Sequence, residues 1–360
     1  MPNKIYVTQK TNRHVVKRLD SDVNPAVYDN VSFGTYKIPG VIDSTLNFPS
    51  GITADDLGNI YVCDTNNKRI MKFDQDLVYV GKYDTIPTVS VPYCIMFDAL
   101  TGDLYIVGVY AHIYLRIERI TTALVSVKVS DNLNAMNDLW FKPTGIVRNT
   151  NDTLIISGSN LGLFFTTEQP TTFTAVSQQM ISGEYTRWPQ IYTKNQYFGI
   201  VKHTNGNLYL NDGKRILRVD ETTFENLGDS DFISETLTIL KQGVNESLLT
   251  LDIDNKKIVR YDSNLNFVED IYWHQLQINY DSLNGFFEIG EEVRTNTGYG
   301  RGIVASDNGS QLNITVIREG FTTGLTITGV TSGATCNIVT TVNAISLDAY
   351  EIADLVEITV

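Results

Sequence analysis

The segment Phe48 to Asp74, FPSGITADDLGNIYVCDTNNKRIMKFD, constrains this chain more than any other stretch. Pro49-Ser50-Gly51-Ile52 starts one strand, Leu57-Gly58-Asn59 turns it, Ile60-Tyr61-Val62 forms a second strand and Arg69 to Phe73 a third. Between the second and third lies Asp64-Thr65-Asn66-Asn67, whose Asp and Asn side chains suit a turn because they bond nearby backbone N–H groups. A single meander of this size cannot bury its own apolar face, so the unit must recur along the chain.

It does recur. Gly102-Asp103-Leu104-Tyr105-Ile106-Val107 repeats the second strand, with Ile113 to Ile117 as the third. Asp152 to Ser157 with Gly162 to Thr166, Gly206 to Leu210 with Arg215 to Asp220, and Glu246 to Leu251 with Lys257 to Asp262 follow, and Lys4 to Val7 with His14 to Asp20 precedes them. Inner-strand leads stand at Pro49-Ser50-Gly51-Ile52, Pro92-Tyr93-Cys94-Ile95, Pro143-Thr144-Gly145-Ile146 and Tyr197-Phe198-Gly199-Ile200. A spacing of roughly 40 to 55 residues suits four-stranded propeller blades. The expected fold is therefore all-β, a six-bladed β-propeller followed by a small β-barrel or β-sandwich. The first blade begins at its second strand and lacks an inner strand. Leu276 to Tyr280, which alternates apolar with polar, is the expected strand that closes the ring, because an open sheet edge invites unwanted pairing. The expected domains are residues 1–281 for the propeller and 282–360 for the small module.

The repeat resembles the NHL family of propellers, closely at Pro49 to Asp74 and less so at Tyr197 to Asp220. The resemblance implies the propeller fold. It implies no single function, since a fold hosts many.

The tail carries its own half-repeat. Phe287-x-x-Gly290-x-x-Val293 precedes Gly298, Gly302 and Val304, and Phe321-x-x-Gly324-x-x-Ile327 precedes Gly333, Ile338 and Val339. Each half reads as a hairpin with glycine at positive-φ turns, so the two close into a small β module. Such a module has a small core and gains stability by packing on a neighbour. Gly324 to Thr335, GLTITGVTSGAT, resembles a Gly/Thr-rich module of tailed-bacteriophage virion proteins. That resemblance implies a structural part of a virion: tail, neck, baseplate, fibre or capsid decoration. The implied partners are other virion proteins and copies of the chain itself, with a host-surface glycan or receptor as a further possibility.

Chemistry weighs less. A zinc site of the propeller-lyase kind needs several histidines at the axis, but His14, His112, His203 and His274 do not share a blade position. Asp55, Asp56 and Asp98, the carboxylates nearest inner-strand ends, read as solvent-facing turn residues, in place of a calcium site. Gly298-Tyr299-Gly300-Arg301-Gly302 reads as a hairpin turn, because no helix start follows to cradle a phosphate. Asp64, Asn67 and Arg69 read as a structural tie within a turn, and Trp140, Trp188 and Trp273 as packing between blades, with sugar stacking as the alternative. Cys63, Cys94 and Cys336 read as small buried hydrophobes. No catalytic, cofactor-binding or metal residue is assigned, no cofactor is expected, and the chain is expected not to be an enzyme. A propeller hydrolase with an axial divalent ion remains the alternative.

A net charge of −13 with scattered Lys and Arg argues against nucleic acid as partner. Neither a secretory h-region nor an apolar run long enough for a membrane is present, so the expected site of folding is the cytoplasm of a host cell and the expected destination the virion.

Overall fold

A computed structural model describes residues 3–10, 14–20, 27–35, 39–85, 88–111, 114–131, 133, 142–159, 162–168, 173–179, 198–231, 233, 237–272, 275–318, 320–345 and 352–359. Blade one contains β1 (Asn3–Gln9), β2 (Val15–Asp20) and β3 (Val27–Gly34). Blade two is β4 (Pro49–Ala54), β5 (Ile60–Asp64), β6 (Arg69–Phe73) and β7 (Tyr79–Asp84), and blade three is β8 (Val91–Asp98), β9 (Asp103–Tyr110), β10 (Tyr114–Thr121) and β11 (Ser126–Val129). Blade four is β12 (Lys142–Arg148), β13 (Thr153–Ser159), β14 (Gly162–Glu168) and β15 (Phe173–Gln179). Blade five is β16 (Ile200–Lys202), β17 (Asn207–Asn211), β18 (Ile216–Asp220) and β19 (Asn226–Asp229), and blade six is β20 (Leu237–Gln242), β21 (Leu248–Asp252), β22 (Lys257–Tyr261) and β23 (Phe267–Tyr272).

After β23 the chain leaves the ring. It forms β24 (Gln275–Asn284), β25 (Glu292–Thr295), β26 (Arg301–Asp307), β27 (Gln311–Arg318), β28 (Thr326–Gly329) and β29 (Thr335–Ile345), then returns as β30 (Ile352–Thr359). The six intervening strands close into a barrel in the order β24-β27-β26-β25-β28-β29, and β30 pairs antiparallel with β1. The expectation for ring closure is corrected here. Leu276–Tyr280 lies in β24 and pairs with β27 and β29, whereas Asn3↔Thr359 to Gln9↔Ile352 completes blade one. The expected boundaries shift at both ends: Gln275–Asn284 belongs to the barrel and Ile352–Thr359 to the ring. Leu276–Tyr280 alternates apolar with polar as expected of a strand, and β24 is retained by the barrel because both its edges find partners there.

Blades pack through apolar wedges. Ile5, Val7 and Leu19 meet Leu249, Leu251 and Ile258 between blades one and six, while Tyr6 and Val16 meet Ile52, Val62 and Phe73 between one and two. Four further clusters fill the remaining junctions, from blades two and three through to five and six. The ring is thus continuous, each sheet burying both faces.

The barrel is internally two-fold. Gly290 N–H bonds Val304 O and Gly324 N–H bonds Ile338 O, both at 2.8 Å. Asn296 N–H bonds Thr326 O, and reciprocally Val330 N–H bonds Glu292 O. The two glycines have φ of 87° and 86°, in the left-handed region that favours glycine. Phe287 and Phe321, the heads of the half-repeats, are both buried in the barrel core. The Gly298–Gly302 stretch spans the turn between β25 and β26 and the start of β26. No helix among the described residues is long and apolar enough to cross a membrane.

Candidate functional site

The first strand of each sheet, β30, β4, β8, β12, β16 and β20, faces the ring axis, and these strands touch their neighbours in ring order. A register irregularity interrupts most of them at the same level, at Pro49/Ile52, Pro92/Cys94, Pro143/Gly145 and Thr238/Leu240. The residue at that level is Gly51, Cys94, Gly145, Gly199, Ile239 or Asp354. A Cβ on Gly51 would lie 2.7 Å from the Cys94 Cα, and one on Gly199 would lie 2.5 Å from the Leu240 nitrogen. Glycine there lets adjacent inner strands approach closely.

Asp354 breaks that rule with a charge. It is buried, and its carboxylate accepts the Ile52 N–H at 3.1 Å, the Lys241 ammonium at 2.8 Å and the Leu355 N–H at 3.0 Å. Lys241 also reaches the Ile52 carbonyl at 3.4 Å. One axial ion pair therefore joins blade six, the closing strand and blade two. Burial holds the Asp354 carboxyl above the usual carboxylate range, and Lys241 with the two amides opposes that rise. Burial likewise pushes the nearby Cys63 and Cys94 thiols up, so both are inert neutral groups. All three cysteines are free and buried, as their sequence contexts indicated.

Away from the axis, polar ties cross the blade junctions. The second-strand tyrosine donates its hydroxyl to the next blade: Tyr6 to the Gln75 carbonyl at 2.6 Å, Tyr61 to the Thr122 carbonyl at 3.2 Å, Tyr105 to Glu168 at 2.7 Å and Tyr209 to the Ser263 carbonyl. Sequence reasoning passed over this device, although tyrosine recurs at one position in four repeats. Glu168 gathers Arg119, Lys128 and Arg148 in addition to Tyr105. Burial raises its pKa, but these donors outweigh burial and bring it down to about 2. At the ring closure Arg260 holds Glu357 at 2.7 Å and Glu269 at 2.8 Å.

The sequence-singled residues scatter among turns. Asp55 accepts from Leu57 N–H, from both the N–H and side chain of Asn59, and from Tyr61. Asp98 binds Arg148 at 2.9 Å. Both are turn residues, but they are buried and do not face solvent. Tyr61 of the same blade covers Asp55 across the turn, and Arg148 of the next blade covers Asp98. Asp56 is exposed. Asp64, Asn67 and Arg69 do form a structural tie: Asp64 accepts from Arg69 at 2.7 Å and Asn67 at 2.8 Å, while Arg69 also donates to the carbonyls of Val41, Ile42 and Thr45. His14 accepts the Phe48 N–H, and His203 accepts the Asn205 N–H while its other ring nitrogen meets the Glu246 carbonyl. His112, His274, Trp140, Trp188 and Trp273 lie outside the described residues. Among the described residues, no group of three His, Cys, Asp or Glu side chains could hold a metal ion.

Comparison with known proteins agrees with the fold. The NHL repeat model matches residues 46–73. No curated protein matches the chain in sequence. Among solved structures, a protein of unknown function from Bacteroides caccae is 11% identical with a TM-score of 0.54, covering 75% of this chain and 94% of its own. A chain of a nidogen/laminin complex is 12% identical with a TM-score of 0.51, covering 75% of this chain and 93% of its own. A putative 6-phosphogluconolactonase from Bacteroides uniformis is 9% identical with a TM-score of 0.51, covering 99% of both chains. The last of these corrects the expectation that the chain is not an enzyme. A fold shared with a putative lactonase does not separate enzymes from binding proteins, so missing nucleophile motifs do not exclude catalysis.

Proposed function

We propose that this chain is a protein-interaction component of a tailed-bacteriophage particle, with the propeller as a rigid disc and the barrel as its attachment element. One observation carries the reading: the barrel is spliced into the connection between β23 and β30, and the ring still closes around it. A module held at both ends transmits load to the disc without depending on its own small core. The propeller fold, its NHL repeat and the occurrence of the same fold in a nidogen/laminin complex support an interaction module. The virion assignment draws on the Gly324–Thr335 stretch and the Phe-x-x-Gly half-repeat. Large contacts between subunits or with neighbouring proteins would supply the binding.

The test is light scattering on the full chain beside a variant in which residues 275–345 are replaced by a short Gly/Ser linker, together with a search for the chain in purified phage particles. Full-length oligomers that become monomers on barrel removal, and the chain present in particles, are the expected results. A monomer in both forms and absence from particles would overturn the reading.

A further inference from the structure

The seam between blades six and one, where the ring closes, carries a group of buried polar atoms with no protein partner. Ile5 and Val7 of β1 point into the wedge shared with blade six, and Tyr6 points into the wedge shared with blade two. Gln9 continues the first series. It is fully buried, and neither its amide oxygen nor its amide nitrogen has a hydrogen-bond partner. On the opposing blade Thr238 pairs with Leu251, a member of the same wedge, and paired residues share a sheet face. The Thr238 hydroxyl is also buried and unpartnered. Gln9 stands opposite Ile352, the first residue of β30, and Thr238 is the second residue of β20, so both lie at the end of the seam where the inner strands begin.

Polar groups on the adjoining strands are engaged elsewhere. The Thr8 hydroxyl bonds the Ser50 carbonyl, the Thr250 hydroxyl and Asn211 amide bond the Ile239 carbonyl, and Lys241 is engaged with Asp354. The walls are aliphatic, from Val7, Ile239, Leu251 and Ile352. A charged ligand would meet no counter-charge there. Gln9 offers one acceptor and two donors, and Thr238 offers a donor and an acceptor, a set suited to a small neutral molecule making about three hydrogen bonds. We propose that Gln9 and Thr238 form a buried water site that clasps the closing seam of the ring.

A crystal structure of the full chain, at a resolution that defines water, tests this directly. The expected result is ordered water within hydrogen-bond distance of the Gln9 amide and the Thr238 hydroxyl. An amide bonded to protein groups, or no bridging density, would overturn the proposal. Thermal melts give an independent reading. Gln9→Met keeps the bulk and removes the polar atoms, so it should lower Tm by about 2–4 °C, and Thr238→Val should then cost less in that background than alone. A raised Tm for Gln9→Met would also overturn it, because deleting a solitary buried amide relieves its desolvation.

Discussion

The propeller and the barrel are both built from repeats, yet they solve opposite problems. Each blade buries two faces against neighbours, so its repeat must carry cross-blade ties as well as a core. Tyr6, Tyr61, Tyr105 and Tyr209 reach forward, and Glu168 and Glu357 gather cations from the adjacent sheet. The barrel repeat pairs chiefly within the barrel, with its other half and with β24. Its two units exchange equivalent backbone hydrogen bonds, and glycine turns of matching φ stand at the same place in each. A ring of unlike neighbours tolerates divergence between copies, while a two-fold barrel keeps its copies alike where they meet.

The sharpest way to break this comparison is to remove β30. A chain ending before Ile352 exposes the β1 edge, removes Asp354 from Lys241 and leaves Arg260 with Glu269 but without Glu357. It should lose cooperative unfolding and aggregate, whereas a linker in place of residues 275–345 should leave a cooperatively melting ring. Circular dichroism melts of the two variants decide it, and equal behaviour would refute the assignment of β30 as the closing strand.

Next in size is Lys241→Met. It leaves Asp354 buried without its cation, and one-sided removal of a buried pair costs about 3–5 kcal/mol. Asp354 already sits above the usual carboxylate range because of burial, so losing Lys241 raises it further. The folded form then takes up a proton more readily than the unfolded form. The deficit should therefore shrink as pH falls through the folded pKa, down to the unfolded value. Denaturant titrations at neutral and acidic pH read this out, and a deficit independent of pH would count against the ion-pair account.

The smallest effect sharpens the barrel side. Gly290→Ala and Gly324→Ala place a Cβ at φ of 87° and 86° with nothing within 4 Å of it at either position. Only backbone strain remains, about 1–2 kcal/mol, and it should be the same at both sites. Markedly different costs, measured by chemical denaturation, would show that the two halves are not equivalent.

How much of this was legible beforehand differs by level. The blade motif at Pro49–Asp74 and its recurrences specified an all-β ring of six sheets, because a period-two pattern with turn residues at fixed spacing leaves few alternatives. The inner-strand leads marked where the first strands of four blades begin, and the Phe-x-x-Gly halves foretold paired hairpins. The axial pair was not legible. Lys241 and Asp354 lie in blades with no recognisable lead, and nothing local distinguishes them from surface charges. Asp55 and Asp98 were read as exposed for a similar reason, since their covers, Tyr61 and Arg148, act across a turn or a blade boundary.

What the sequence by itself determined was the repeating unit, its number of copies and the hairpin character of the tail, all consequences of local periodicity and turn chemistry. What only the tertiary structure decided was which strand closes the ring. Leu276–Tyr280 alternates apolar with polar and Ile352–Thr359 does not, yet it is Ile352–Thr359 that closes the ring. Their choice of partner rests on contacts between residues far apart in the chain: Asp354 with Lys241 and Ile52, Glu357 with Arg260, and β24 with two barrel neighbours. Strand pairing is selected by the edges and buried charges available once the chain is compact, and those are properties of the fold and not of any segment.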